Sequence, residues 1–123
     1  MSPSPLNAKA AIVTGGLGLL GREHCRALSE AGARVVVADL DEVLSGEFAG
    51  QLPGPAMGIS VDVTDPGSLE RLLRVAQERF GPVDVLVNNA AMNEKVEDTS
   101  QDPHVTQFEH YPLQFWKSAM DLN

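Results

Sequence analysis

The run Ala11-Ile12-Val13-Thr14-Gly15-Gly16-Leu17-Gly18-Leu19-Leu20-Gly21 constrains this chain more than any other stretch, because an apolar strand runs into closely spaced glycines and then into a helical pattern. Gly16, Gly18 and Gly21 fit G-x-G-x-x-G. In that pattern the first glycine makes a tight turn, the second admits a pyrophosphate, and the third lets helix and strand pack closely. The helix that follows directs its unpaired N–H groups and the positive end of its dipole at an anion. A glycine-rich strand-to-helix loop with no ligand is the competing reading. Asp39 favours the phosphate reading: it follows Val35-Val36-Val37-Ala38 at the end of the second expected strand, about 20 residues beyond the glycines, where a carboxylate can accept hydrogen bonds from an adenosine ribose.

The 123 residues allow one domain with a modest core, so one site is expected to carry the function. We expect a disordered tail over residues 1–7 and a nucleotide-binding domain over residues 8–123. Hydrophobic content of 43% with 21% charged residues is ordinary for a globular chain, and no apolar run reaches the roughly 20 residues of a membrane span. Met1-Ser2-Pro3-Ser4-Pro5 is short and polar, without the apolar segment of a secretory signal, so a cytoplasmic setting is expected. Cys25 is the one cysteine and cannot form an internal disulfide; no Cys/His spacing resembles a metal site. A formal charge of −8, with nine Lys and Arg residues in no basic block, opposes nucleic acid as a partner. An anionic dinucleotide stays compatible, because backbone amides attract it locally.

Strand and helix patterns alternate without internal repeats, the signature of a parallel sheet flanked by helices, an α/β fold of Rossmann type. Strands are expected at residues 8–14, 34–39, 57–61 and 84–88. A helix over 17–31 ends before Gly32 in the C′ position, and a short irregular helix is expected over 41–51. Residues 65–81 predict the clearest helix, with Asp65 as N-cap, Pro66 at its first position and Gly81 just past its end. Leu69, Leu72, Leu73, Ala76 and Phe80 form its apolar face, with Glu70 and Arg74 as an exposed pair. Residues 92–111 lack periodicity and read as a long loop. A last helix begins near Pro112, with Trp116, Ala119, Met120 and Asn123 on one face.

A helical wheel for residues 17–31 puts Leu17, Leu20, Gly21, His24, Leu28 and Ala31 toward the sheet and Arg22, Glu23, Arg26 and Glu30 outward. His24 then reads as a hydrogen-bonded packing residue rather than a catalytic base. His104 and His110 read as solvated loop residues or substrate contacts. Asp62 and Asn88-Asn89-Ala90-Ala91 follow the third and fourth strands, at the carboxyl edge where open α/β sheets bind ligands. Asp62 can accept from an adenine amino group or belong to a turn with Thr64 and Asp65; Asn89 can line the ligand, tie strands together, or do both.

In order along the chain, Thr14-Gly15-Gly16-Leu17-Gly18-Leu19-Leu20-Gly21, Asp39, Asp62-Val63-Thr64-Asp65, Asn88-Asn89-Ala90-Ala91 and residues 115–123 resemble the N-terminal half of a short-chain dehydrogenase/reductase. The resemblance implies a dinucleotide cofactor held by Gly15, Leu17, Gly18, Leu19, Leu20, Gly21, Asp39, Leu40, Asp62, Val63, Asn89, Ala90 and Ala91. It also implies hydride transfer to or from a small alcohol or carbonyl substrate, Asn123 as the counterpart of a catalytic asparagine, and association into homo-oligomers. Two departures stand out. Glycine falls at position 18 and leucine at 19, a spacing similar to that of the sugar-nucleotide epimerase and dehydratase branch. The family's serine and Tyr-x-x-x-Lys motif would come after residue 123; Tyr111 does not substitute, since Phe115 stands four residues on. The chain is thus expected to be inactive alone and to leave the fourth strand with an open edge.

Asp39 also bears on cofactor choice, for its carboxylate would accept from both ribose hydroxyls of NAD and repel the 2′-phosphate of NADP, with no cation at Leu40 or Asp41 to compensate. NAD is the expected cofactor. A non-catalytic dinucleotide-binding module and an epimerase-branch relative are the competing functional readings.

Overall fold

The computed structural model describes residues 5–89. The expected loop over 92–111, the helix near Pro112, and Ala90, Ala91, His104, His110, Tyr111 and Asn123 lie outside the described residues. Four strands, β1 (Ala10–Thr14), β2 (Arg34–Asp39), β3 (Ala56–Ser60) and β4 (Val85–Asn88), alternate with α1 (Leu19–Glu30), α2 (Glu42–Ala49) and α3 (Pro66–Phe80). All pairings are parallel and the strand order is β3-β2-β1-β4, so β1 is central, with Ile12 opposite Val36 on one side and Leu86 on the other.

Side-chain alternation along β1 and β2 divides the core in two. Ile12, Val36 and Ala38 face α3, which covers them with Leu69, Leu72, Leu73, Ala76 and Phe80. Ala11, Val13, Val35 and Val37 face the opposite way, where Cys25 of α1 and Phe48 of α2 close over them. Helices on both faces explain why β1 and β2 read as continuous apolar runs. At roughly 1.5–3 kcal/mol for each fully buried leucine or valine, these two layers supply the main drive to fold.

The termini of the helices follow from local chemistry. Asp65 caps α3, its Oδ1 accepting from the Gly67 amide at 3.0 Å, and Gly81 ends the helix at φ 83°, a conformation that favours glycine. Past α1, Gly32 adopts φ 104° while its amide donates to Ser29 O and the Ala33 amide to Leu28 O, both at 3.0 Å. This is the paired hydrogen-bond pattern of a Schellman stop. Asp41 caps α2, accepting from the Leu44 amide at 3.0 Å, so the helix is regular over its eight residues despite Gly46.

Some expectations are corrected. The first strand begins at Ala10 and not at residue 8, because Ala8 has φ 66° and the Lys9 amide closes a turn onto Leu6 O at 2.9 Å. Leu6 is itself anchored, donating its amide to Ala31 O at 3.0 Å and packing against the core. The buried face of α1 is Gly21, Cys25 and Ser29, whereas Leu20 and His24 are exposed. His24 is therefore not a packing residue. Glu70 and Arg74 are both exposed, but the ion pairs among the described residues are Arg26–Glu23 and Arg71–Glu42. β4 is half-buried throughout and, among the described residues, pairs with β1 alone.

Candidate functional site

The turn from β1 into α1 is shaped by close approach. Gly15 has φ 66°, so it, rather than Gly16, supplies the left-handed residue of the turn. Gly16 is required by its neighbours instead: a Cβ there would lie 2.9 Å from Cγ1 of Val37 and 3.2 Å from Val13 O. At Gly21 a Cβ would lie 2.0 Å from Gly15 O and 2.8 Å from Gly16 Cα, so any larger residue would push the helix off the turn. Gly15 O also accepts from the Gly18 amide at 3.1 Å and from Nδ2 of the buried Asn89 at 3.4 Å. One carbonyl thus gathers the turn, the helix start and the end of β4. Next to it, Thr14 Oγ1 donates to Asn88 Oδ1 at 3.0 Å, joining the same two strands.

The start of α1 suits an anion. Gly18 stands at the N-cap with no side chain to cap the helix, and the first turn carries no acid. The Arg22 amide bonds Gly18 O at 2.9 Å, while among the described residues the amides of Leu19 and Leu20 have no acceptor. Two or more unpaired N–H groups and the positive end of a helix dipole converge there. The side chains of Leu19 and Leu20 lie in the open, 90% and 59% exposed.

Asp39, at the carboxyl end of β2, lies beside this turn. Its Oδ2 accepts from the Leu17 amide at 2.9 Å and its Oδ1 from the Leu40 amide at 2.7 Å. A carboxylate offers about four acceptor positions, so roughly two remain for a ligand such as a vicinal diol. Leu40 is exposed alongside it.

Asp62 follows β3. Its Oδ1 accepts from Thr64 Oγ1 at 2.6 Å and the Thr64 amide at 3.0 Å, which hold its carboxyl below the usual carboxylate range. Its amide donates to Ser68 Oγ at 2.9 Å, and its carbonyl accepts from the Asp65 amide at 3.0 Å. The turn reading of Asp62 is thus realised, with Oδ2 taking no hydrogen bond among the described residues. Val63 sends its side chain into the core under α3. The strand ends bring Gly15, Leu17, Gly18, Leu19, Leu20, Gly21, Asp39, Leu40, Asp62, Val63 and Asn89 to one edge of the sheet.

Two contributors were not evident in the sequence. Arg22, expected on the outer face, is half-buried; its Nε donates to Leu17 O at 2.8 Å and its guanidinium lies 5.0 Å from the centre of the Phe48 ring. A long donor one residue past the last glycine is the only hint in the sequence. Glu42, in the first turn of α2, accepts from the Ser60 amide at 3.2 Å and from Ser60 Oγ at 3.0 Å, which depress its pKa. It thereby ties α2 to the end of β3. Among the described residues no group of three His, Cys, Asp or Glu could hold a metal ion, and no helix is long and apolar enough to cross a membrane.

The short chain dehydrogenase family profile matches residues 9–123. Fluoren-9-ol dehydrogenase of Terrabacter is 43% identical over 83 residues, 66% of this chain and 23% of that protein. Sorbitol dehydrogenase of Cereibacter sphaeroides is 37% identical over 87 residues, 71% of this chain and 34% of that protein. Among solved structures, hydroxysteroid dehydrogenase from Escherichia coli superposes with a TM-score of 0.63 at 37% identity, over 68% of this chain and 35% of that one. The chain therefore spans about a quarter to a third of these relatives' length.

Proposed function

The chain belongs to the short chain dehydrogenase family, and on that premise we propose that its described residues form the dinucleotide-binding part of an NAD-dependent oxidoreductase acting on an alcohol or carbonyl. The observation that carries this reading is the carboxylate of Asp39 fixed by the Leu17 amide beside an uncapped helix start. The site fits the group: Gly18 gives the start of α1 no side-chain cap, and the first turn of α1 holds no carboxylate to compete with phosphate.

In this reading the Leu19 and Leu20 amides hold the pyrophosphate, with Gly15, Leu17, Gly18 and Gly21 shaping the turn beneath it. Asp39 accepts from the adenosine ribose hydroxyls, and Leu40 borders the base. Asp62 Oδ2 accepts from the adenine amino group; Val63, Asn89, Ala90 and Ala91 bring backbone to the nucleoside. When bound, NAD accepts a hydride and NADH donates one. Asn123 supports a proton relay, while the serine and the Tyr-x-x-x-Lys pair that would polarise the substrate oxygen are not among the 123 residues. We accordingly expect this chain alone to bind cofactor without turnover, in a cytoplasmic setting.

Selectivity follows from charge. The diol of NAD meets the acceptors of Asp39, whereas a 2′-phosphate would place like charge against it. Fluorescence titration with NADH and NADPH is the test. Wild type is expected to prefer NADH, and Asp39→Ala to lose about tenfold in NADH affinity, the scale of hydrogen bonds to a charged group, while narrowing the preference. Absence of saturable NADH binding, or an unchanged preference in Asp39→Ala, would overturn the proposal.

A further inference from the structure

We propose that Arg22 is a positioning residue that sets cofactor selectivity by holding Leu17 so that its amide clamps Asp39. This rests on the dinucleotide reading above. Leu17 is restrained at both of its backbone groups: its amide donates to Asp39 Oδ2 at 2.9 Å and its carbonyl accepts from Arg22 Nε at 2.8 Å. The second bond spans five residues and closes the segment from Leu17 to Arg22 into a ring around the uncapped start of α1. A carbonyl engaged by a guanidinium cannot turn toward a phosphate, where its negative end would repel the ligand.

The guanidinium is itself held. It lies 5.0 Å from the centre of the Phe48 ring, which is 3% exposed and belongs to the packed face of α2. Arg26 approaches the same ring at 5.4 Å while pairing with Glu23 at 3.1 Å. Arg22 thus has its guanidinium held over an aromatic face and its Nε–H spent on the turn, a pairing of roles that lysine does not reproduce. The sequence Phe48, Arg22, Leu17, Asp39 links the packing of α2 to the orientation of the carboxylate that meets the ribose. With the clamp released, Asp39 can rotate away from a diol, and the cost of a 2′-phosphate beside it falls with the carboxylate's retreat.

The test is a double-mutant cycle on the full chain, read as the ratio of NADPH to NADH dissociation constants by fluorescence titration. Arg22→Ala is expected to weaken NADH about fivefold, the scale of one lost hydrogen bond, and to reduce the ratio. In an Asp39→Asn background the same substitution should change the ratio no further. Arg22→Lys, which keeps charge and stem but lacks the planar Nε–H, covers the case in which alanine does not fold. It is expected to shift the ratio in the same direction by less. An unchanged ratio in a folded Arg22 variant, or an equal shift with and without Asp39, would overturn the inference and leave the dinucleotide reading standing. A wild-type chain that binds neither nucleotide would remove both.

Discussion

Cys25 shows how position within the packed layer decides reactivity. Burial pushes its thiol from 9.0 up to about 12, with Arg26 pulling only weakly the other way. A raised pKa favours the protonated form. Its stabilising contribution is therefore complete below 9.0 and lost as pH rises through about 12. The folded chain should resist iodoacetamide near pH 9, while the same chain in urea reacts as an ordinary thiol; mass spectrometry that found equal rates would place Cys25 outside the core. At this scale much of the site was legible. Asp39 and the glycines announce themselves by residue type and spacing. Two details were not. The division of labour between Gly15 and Gly16 depends on which one meets Val37, and the Leu17 contact with Asp39 joins groups 22 residues apart, which spacing cannot orient.

Among the elements, α3 was read almost to the residue and α1 was not, for a single physical reason. α3 meets the sheet through large apolar side chains at helical spacing, so hydrophobicity marks the contact face. α1 lies so close to the Gly15-Gly16 turn at Gly21 that no Cβ fits there, and its buried face consists of the small residues Gly21, Cys25 and Ser29. Of the leucines on the helical wheel, Leu17 and Leu28 pack against the core while Leu20 points outward, and His24, one turn on from Leu20, is exposed with it. Leu72, fully buried beneath the sheet, gives the corresponding prediction. Leu72→Ala should cost about 2–5 kcal/mol in chemical denaturation, through lost transfer energy and the cavity left behind. A loss under about 1 kcal/mol would mean that α3 re-seats itself over the gap.

For the whole molecule, a charge of −8 surrounds a site argued to take an anion. The attraction is confined to the end of one helix, whereas the repulsion is long-ranged and easily screened. NADH affinity should therefore hold steady or rise between about 20 and about 200 mM salt, as the screening length shrinks from roughly 20 Å to roughly 7 Å. A steep fall with salt, measured by titration at each ionic strength, would indicate a basic cleft that the described residues do not contain. Strand alternation made the architecture readable, but which strand lies at the centre was not written in any one segment. That order emerges only when β1 takes β2 on one flank and β4 on the other. The Asn89 amide that reaches Gly15 comes from 74 positions downstream. During synthesis every other part of the nucleotide turn leaves the ribosome before this latch does, and closing so long a loop is slow. Docking of β4 against β1 and closing of this latch are consequently one event, and a chain interrupted before Asn89 would keep the contacts of the turn to Gly18, Ala38 and Asp39 but lose its tie to the fourth strand.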